Sequence, residues 1–139
     1  YSAAERRLGE RIREAILLRI ADLIFRAWRK ARAQGIGCLP EIGVAVPGRT
    51  VTGGFILDST DYLPFLKKRD GFNFAKGLRK CLAAKGLSGC RVRLLNDGIA
   101  AGMANIYFDP SMAKRGKFAF LGPGSGLGGC VGVVKDEKK

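Results

Sequence analysis

Two short apolar runs limit the folds open to this chain more than any other feature. Ile42-Gly-Val-Ala-Val46 ends at Pro47-Gly48, and Val92 to Leu95 lies between a glycine-containing stretch and Asn96-Asp97. Each is too short for a helix. Runs of this kind are expected to be strands buried on both faces, as in parallel sheets covered by crossover helices. Helical patterns do surround them. Ser2 and Glu5 have capping-box spacing, and Leu8, Ile12, Ile16, Ile20, Ile24 and Trp28 recur at every fourth position, with Leu23 and Ala27 widening the stripe. Gly35 and Gly37 supply the stop. The stripe reads as a core face, with a partner-binding or membrane-surface helix as the lesser alternative.

A second helix is expected over Phe72 to Lys85, with Phe74, Leu78, Cys81 and Leu82 inward and Gly86 as its stop. A third is expected over Gly98 to Tyr107, capped by Asp97. Arg49 to Asp70 reads as irregular. Asp109 to Gly116 reads as a link, followed by strands Lys117 to Leu121 and Cys130 to Val134. Alternating helices and strands predict an α/β fold, and the last hairpin reads as the start of a second domain.

The chain has 139 residues, enough for one core-forming unit. It carries 25 Lys and Arg against 12 Asp and Glu, a net charge of +13. That balance suits a polyanion such as a nucleotide, an acidic membrane surface or nucleic acid. No helix-turn-helix, zinc-finger or aromatic-basic signature accompanies the charge, so nucleic acid is not the expected partner. The four cysteines form no Cys-x-x-Cys and there is no histidine, so no protein metal site is expected. Reduced, packed cysteines point to a cytoplasmic protein. The longest apolar stretch, Ala15 to Phe25, is broken by Arg19 and Asp22 and reads neither as a membrane span nor as a signal peptide. The opening Tyr-Ser-Ala-Ala lacks an initiator methionine and reads as part of a longer protein.

The chemistry concentrates at two places. Asn96-Asp97 follows a strand, where a carboxylate can accept a hydroxyl proton and an amide can bind a hydroxyl, although capping is the commonest use of such a pair. Gly122-Pro-Gly-Ser-Gly-Leu-Gly-Gly129 joins two strands, and its N–H groups, helped by Ser125, can surround an anion. Gly124-x-Gly126-x-x-Gly129 matches the dinucleotide fingerprint in letters, but Cys130-Val-Gly-Val-Val134 after it is strand-like, and the fingerprint needs a helix there. The absence of Gly-Lys-Ser/Thr excludes a P-loop. A plain hairpin turn is the alternative to phosphate binding.

Taken in order, Ile42-Gly-Val-Ala-Val-Pro-Gly48, Leu63-Pro64, Leu95-Asn-Asp-Gly-Ile-Ala-Ala101 and Leu121 to Gly129 resemble the glucokinases and the wider repressor/sugar-kinase (ROK) family. The resemblance spans about Ile42 to Val134. It implies an actin-like ATPase (ribonuclease H-like) lobe, a mixed sheet with flanking helices, and the first hairpin of a second lobe. Residues 1–108 would be the later part of the first lobe, 109–116 the inter-lobe linker and 117–139 the hairpin with its phosphate loop. Asp97 would be the catalytic base and Asn96 a sugar ligand, with Thr60 and Asp61 near a further sugar contact. Gly122, Gly124, Ser125, Gly126 and Gly128 would contact the phosphates of ATP, bridged by Mg2+. The implied partners are a hexose and a nucleotide, with exposed apolar surface favouring a homo-oligomer. The family's Asp-x-Gly-Gly-Thr motif and its histidine-bearing sugar and zinc motifs do not occur here, so the chain alone is expected to hold half a site. A sugar-responsive regulator without catalysis and a basic interaction module are the alternatives.

Overall fold

The structure is a computed structural model that describes residues 2–58, 72–109, 111, 116–123 and 127–133, with the side chains of Asp58, Pro123 and Leu127 left aside. It is mixed α/β. The described elements run α1 (Ala3–Ala33), β1 (Glu41–Val46), β2 (Arg49–Val51), β3 (Phe55–Asp58), α2 (Phe74–Ala84), β4 (Arg91–Asn96), α3 (Asp97–Phe108), β5 (Lys117–Pro123) and β6 (Leu127–Val133). The strands form three two-stranded sheets, β1 with β4, β2 with β3 and β5 with β6. No described helix is long and apolar enough to cross a membrane.

The chain divides into two compact units. The first comprises Tyr1–Val44 and Gly48–Leu94, the second Ala45–Pro47 and Leu95–Lys139.

In the first unit, α1 begins where the sequence places it. The Ser2 hydroxyl accepts from the Glu5 N–H at 3.2 Å, and the Glu5 carboxylate accepts from the Ser2 N–H at 2.6 Å. These bonds satisfy two otherwise orphaned donors. Bonding to Ser2 also holds the Glu5 carboxyl below its ordinary pKa. At the other end Gly35 takes φ +72°, and the Ile36 N–H reaches back to the Ala31 carbonyl at 2.9 Å. This is a Schellman ending. α2 ends likewise, with Gly86 at φ +86° and the Leu87 N–H on the Leu82 carbonyl at 3.0 Å.

The covered row of α1 lies one residue beyond the row of isoleucines. Gly9, Leu17 and Ala21 are buried, whereas Ile12, Ile16, Ile20, Ile24 and Trp28 are half-buried and Leu8, Leu23 and Ala27 are exposed. Small residues decide this. A Cβ at Gly77 of α2 would stand 2.8 Å from a Leu17 methyl, so the two helices approach through Leu17 and Gly77. Lys85 beside α2 reaches Asp22 of α1 at 3.3 Å, and Asp22 also pairs with Arg26 at 2.8 Å. The inner face of α2 is Phe74, Ala75, Leu78 and Leu82, all buried, with Cys81 only half-buried.

Part of the stretch read as irregular is a hairpin. β2 and β3 pair antiparallel, with Val51 opposite Phe55. Gly53 and Gly54 make the turn at φ +94° and +87°. Asn73, the N-cap of α2, donates from Nδ2 to the Gly53 carbonyl at 2.8 Å, and the Ala75 N–H donates to the Gly54 carbonyl at 3.1 Å. The hairpin is thereby fastened to the start of α2.

β1 and β4 differ from the expectation of burial on both faces. β1 alternates between exposed and covered residues until Val46, and β4 does so until Leu94. A two-stranded ribbon with one covered face gives alternation rather than continuous burial. Glu41 explains part of the polar side, since it pairs with Arg91 and, at 3.5 Å, with Arg93.

Candidate functional site

In the second unit β4 ends at Asn96, and α3 begins at Asp97. The sequence reading assigns the cap to Asp97; the structure assigns it to Asn96. The Asn96 backbone is extended, at φ −62° and ψ 142°, and its Oδ1 accepts from the Ile99 N–H at 3.1 Å. Asp97 is the first helical residue. Its Oδ1 accepts from the Gly98 N–H at 2.9 Å and from Asn96 Nδ2 at 3.1 Å. Asn96 precedes Asp97 and has the extended geometry that a cap requires, so the helix starts one residue earlier than predicted. A carboxylate in the first turn also meets the positive end of the helix dipole. Asp97 is exposed and Asn96 half-buried, so the carboxylate is open to a solute.

β5 and β6 pair antiparallel over seven residues each, from Lys117 opposite Val133 to Pro123 opposite Leu127. The ladder therefore takes in much of the glycine run. Gly122 stands opposite Gly128, and Leu121 opposite Gly129. The predicted phosphate ligands Gly124, Ser125 and Gly126 lie outside the described residues, as do Thr60, Asp61, Leu63 and Pro64.

The second unit brings the Asn96-Asp97 pair and the glycine hairpin together. Gly98 and Gly102 are the buried residues of α3, one turn apart. A Cβ at Gly98 would lie 2.8 Å from the Gly129 N and 3.1 Å from its carbonyl oxygen. A Cβ at Gly102 would overlap Cys130 Sγ and stand 3.2 Å from the Phe120 Cβ. The first turn of α3, which carries Asp97, therefore lies directly against the strand leaving the glycine turn. The Gly98-x-x-x-Gly102 spacing is the sequence signal for this contact, because small residues one turn apart let a helix approach another backbone closely.

Several hairpin glycines answer to packing. A Cβ at Gly129 would come within 2.5 Å of the Phe120 carbonyl oxygen, one at Gly122 would meet the Phe120 ring at 3.0 Å, and one at Gly132 would overlap the Phe118 ring. Gly128 is the exception. Among the described residues, the nearest atom to its Cβ would be the Gly122 oxygen at an ordinary 3.7 Å. Packing against the described residues does not require glycine there.

A shallow depression of about 530 Å³ lies elsewhere on the same ribbon, lined by Lys117, Phe118, Ala119, Val131, Gly132 and Val133. It sits at the end of the hairpin away from the glycine turn, and no acid lines it among the described residues. No cluster of three or more His, Cys, Asp and Glu suited to a metal occurs among the described residues.

No known family matches the chain, and no curated protein or solved structure does so either.

Proposed function

We propose that this chain is a phosphoryl-transfer element that uses a hydroxyl acceptor. More particularly, it would belong to an ATP-dependent hexose kinase of the glucokinase type. The observation that carries the reading is the seating of the first turn of α3 on Gly129. Asp97, an exposed carboxylate, stands on the element that packs against Gly129, the last residue of the glycine run.

Each residue has a defined task in this scheme. Asp97 accepts the proton of the sugar hydroxyl as the oxygen attacks phosphorus, and its two Oδ1 bonds fix the carboxylate in one orientation. Asn96 positions Asp97 through its Nδ2 and holds the helix start through its Oδ1. Gly128, with the turn that precedes it, would receive the phosphate oxygens on backbone N–H groups. ATP with Mg2+ would supply the phosphoryl group and neutralise its charge. Phosphoryl transfer depends chiefly on positioning and electrostatics, so the second half of the nucleotide site is expected from other parts of the protein.

The test is ADP formation by the full-length protein carrying this sequence, with ATP, Mg2+ and a panel of hexoses. Asp97→Asn is expected to reduce turnover by about 100-fold or more, the usual range for a general base. Absence of ADP formation with every hexose, or full activity in Asp97→Asn, would overturn the reading.

A further inference from the structure

α1 carries far more positive charge than its fold uses. Between Ala3 and Ala33 it has eight arginines and one lysine against three glutamates and one aspartate. Four of the arginines are engaged. Arg13 lies over the Phe72 ring at 5.1 Å and reaches Glu10 at 3.9 Å, and Arg26 pairs with Asp22. Arg29 and Arg32 lie over Phe25 and Trp28 at 5.9 and 5.6 Å. The other four, Arg6, Arg7, Arg11 and Arg19, are exposed and have no ion-pair or ring partner among the described residues.

Their placement is ordered. Arg7, Arg11 and Arg19 share one row with Ala15, Leu23 and Ala27, every member of it exposed. That row lies two residues, about 200° of helix, from the covered row of Gly9, Leu17 and Ala21. On the adjoining row Glu10 lies 3.9 Å from Arg13 and Asp22 pairs with Arg26 and Lys85, and Glu14 is its remaining acid. α2, packed beside α1, adds exposed Lys76, Arg79 and Lys80 and contains no acid.

We propose that this outward face of α1 binds the phosphodiester backbone of a nucleic acid without reading its sequence. Arginine suits the purpose, because its planar fork of donors matches phosphate oxygens. From Arg6 to Arg19 the charges extend about 20 Å along the helix axis, so they meet a linear polyanion as a line rather than as a point. A bilayer surface fits less well. The isoleucine row that would have to enter the lipid is half-buried within the first unit, and Leu23 is the one large apolar residue on the outward row. A second copy of the chain fits poorly too, since it would bring two strongly positive faces together. The proposal concerns the first unit and stands apart from the kinase reading, which rests on the second.

The test is fluorescence anisotropy with a labelled mixed-sequence DNA duplex of about 20 base pairs, titrated from about 50 to 200 mM salt. The chain is expected to bind, with log affinity falling linearly against log salt. Arg6→Gln/Arg7→Gln/Arg11→Gln/Arg19→Gln is expected to weaken binding at least about tenfold and to lower the slope by about 3.6, at roughly 0.9 per phosphate contact. The corresponding four Arg→Lys changes should keep the slope. Circular dichroism checks the fold, and Arg19→Gln alone, with a slope change of about 0.9, serves if the quadruple variant does not fold. No binding by the parent chain would overturn the proposal, as would an unchanged slope in the glutamine variant. Binding to phosphatidylserine vesicles through these arginines, with the duplex left unbound, would overturn it too.

Discussion

Adding one methyl group at Gly102 measures how closely α3 sits on the hairpin. In an isolated helix Gly→Ala is favourable by about 1 kcal/mol. Here the new carbon would overlap Cys130 Sγ and stand 3.2 Å from the Phe120 Cβ. Overpacking a filled site costs about 1–3 kcal/mol, so a net destabilisation of about 1 kcal/mol is expected. Removing the sulfur should relieve most of this. In a Cys130→Ala background, Gly102→Ala should be close to neutral, since the Phe120 contact remains while the propensity gain is recovered. The coupling between the two changes is therefore expected at about 1 kcal/mol, within the range found for residues in contact. Urea unfolding of the parent, both single variants and the double variant yields the cycle. A coupling below about 0.5 kcal/mol would refute the close approach of α3 to β6, because distant sites add within that margin.

Three further outcomes follow from the same geometry. Asn96→Ala should cost about 1 kcal/mol and Asn96→Asp much less, because Asn96 is the cap of α3; an equal loss in Asp97→Ala, measured by urea unfolding, would reassign the cap. Glu5, whose folded pKa is held below its ordinary value by bonding to Ser2, adds stability that is present above its unfolded pKa and lost as pH falls through its folded value. A carboxyl NMR titration of Glu5 should show that depressed midpoint in the parent chain and an ordinary one in Ser2→Ala. Gly54→Ala should destabilise by about 2 kcal/mol or more, since φ is +87° and a Cβ would overlap that of Ala75; Gly35→Ala, at φ +72° with open space, should cost only about 1–2 kcal/mol, both read by thermal unfolding.

Local signals in the sequence proved more informative than tertiary ones. The capping box at Ser2 and Glu5 and the stops at Gly35 and Gly86 involve residues a few positions apart, and the structure forms them as expected. Which row of α1 is covered depends on where α2 presents Gly77, and no pattern within α1 alone contains that information. The isoleucines are regular, but the buried row is Gly9, Leu17 and Ala21 beside them, and the close approach runs through Leu17. The apolar letters of β1 and β4 mark strands without stating how many faces of the ribbon are covered, and the alternation follows from one face being covered. At the candidate site, the order of Asn96-Asp97 and the glycine run was legible. Their contact was legible only in the Gly98–Gly102 spacing, which acquires its meaning once Gly129 is opposite.

The β5–β6 ribbon also bears on how this protein behaves at the bench. Its outward side shows Leu121 at 71%, Val131 at 84% and Val133 at 60% exposure, an apolar strip on a twisted pair of strands. Strips of this kind recruit other chains during expression and concentration, and a charge or hydroxyl on them acts as a gatekeeper. Because neighbouring strand residues face opposite sides, Val131→Thr and Val133→Glu, the latter opposite Lys117, should raise the recoverable yield while leaving Phe118, Phe120 and Cys130, and with them the seat of α3, undisturbed.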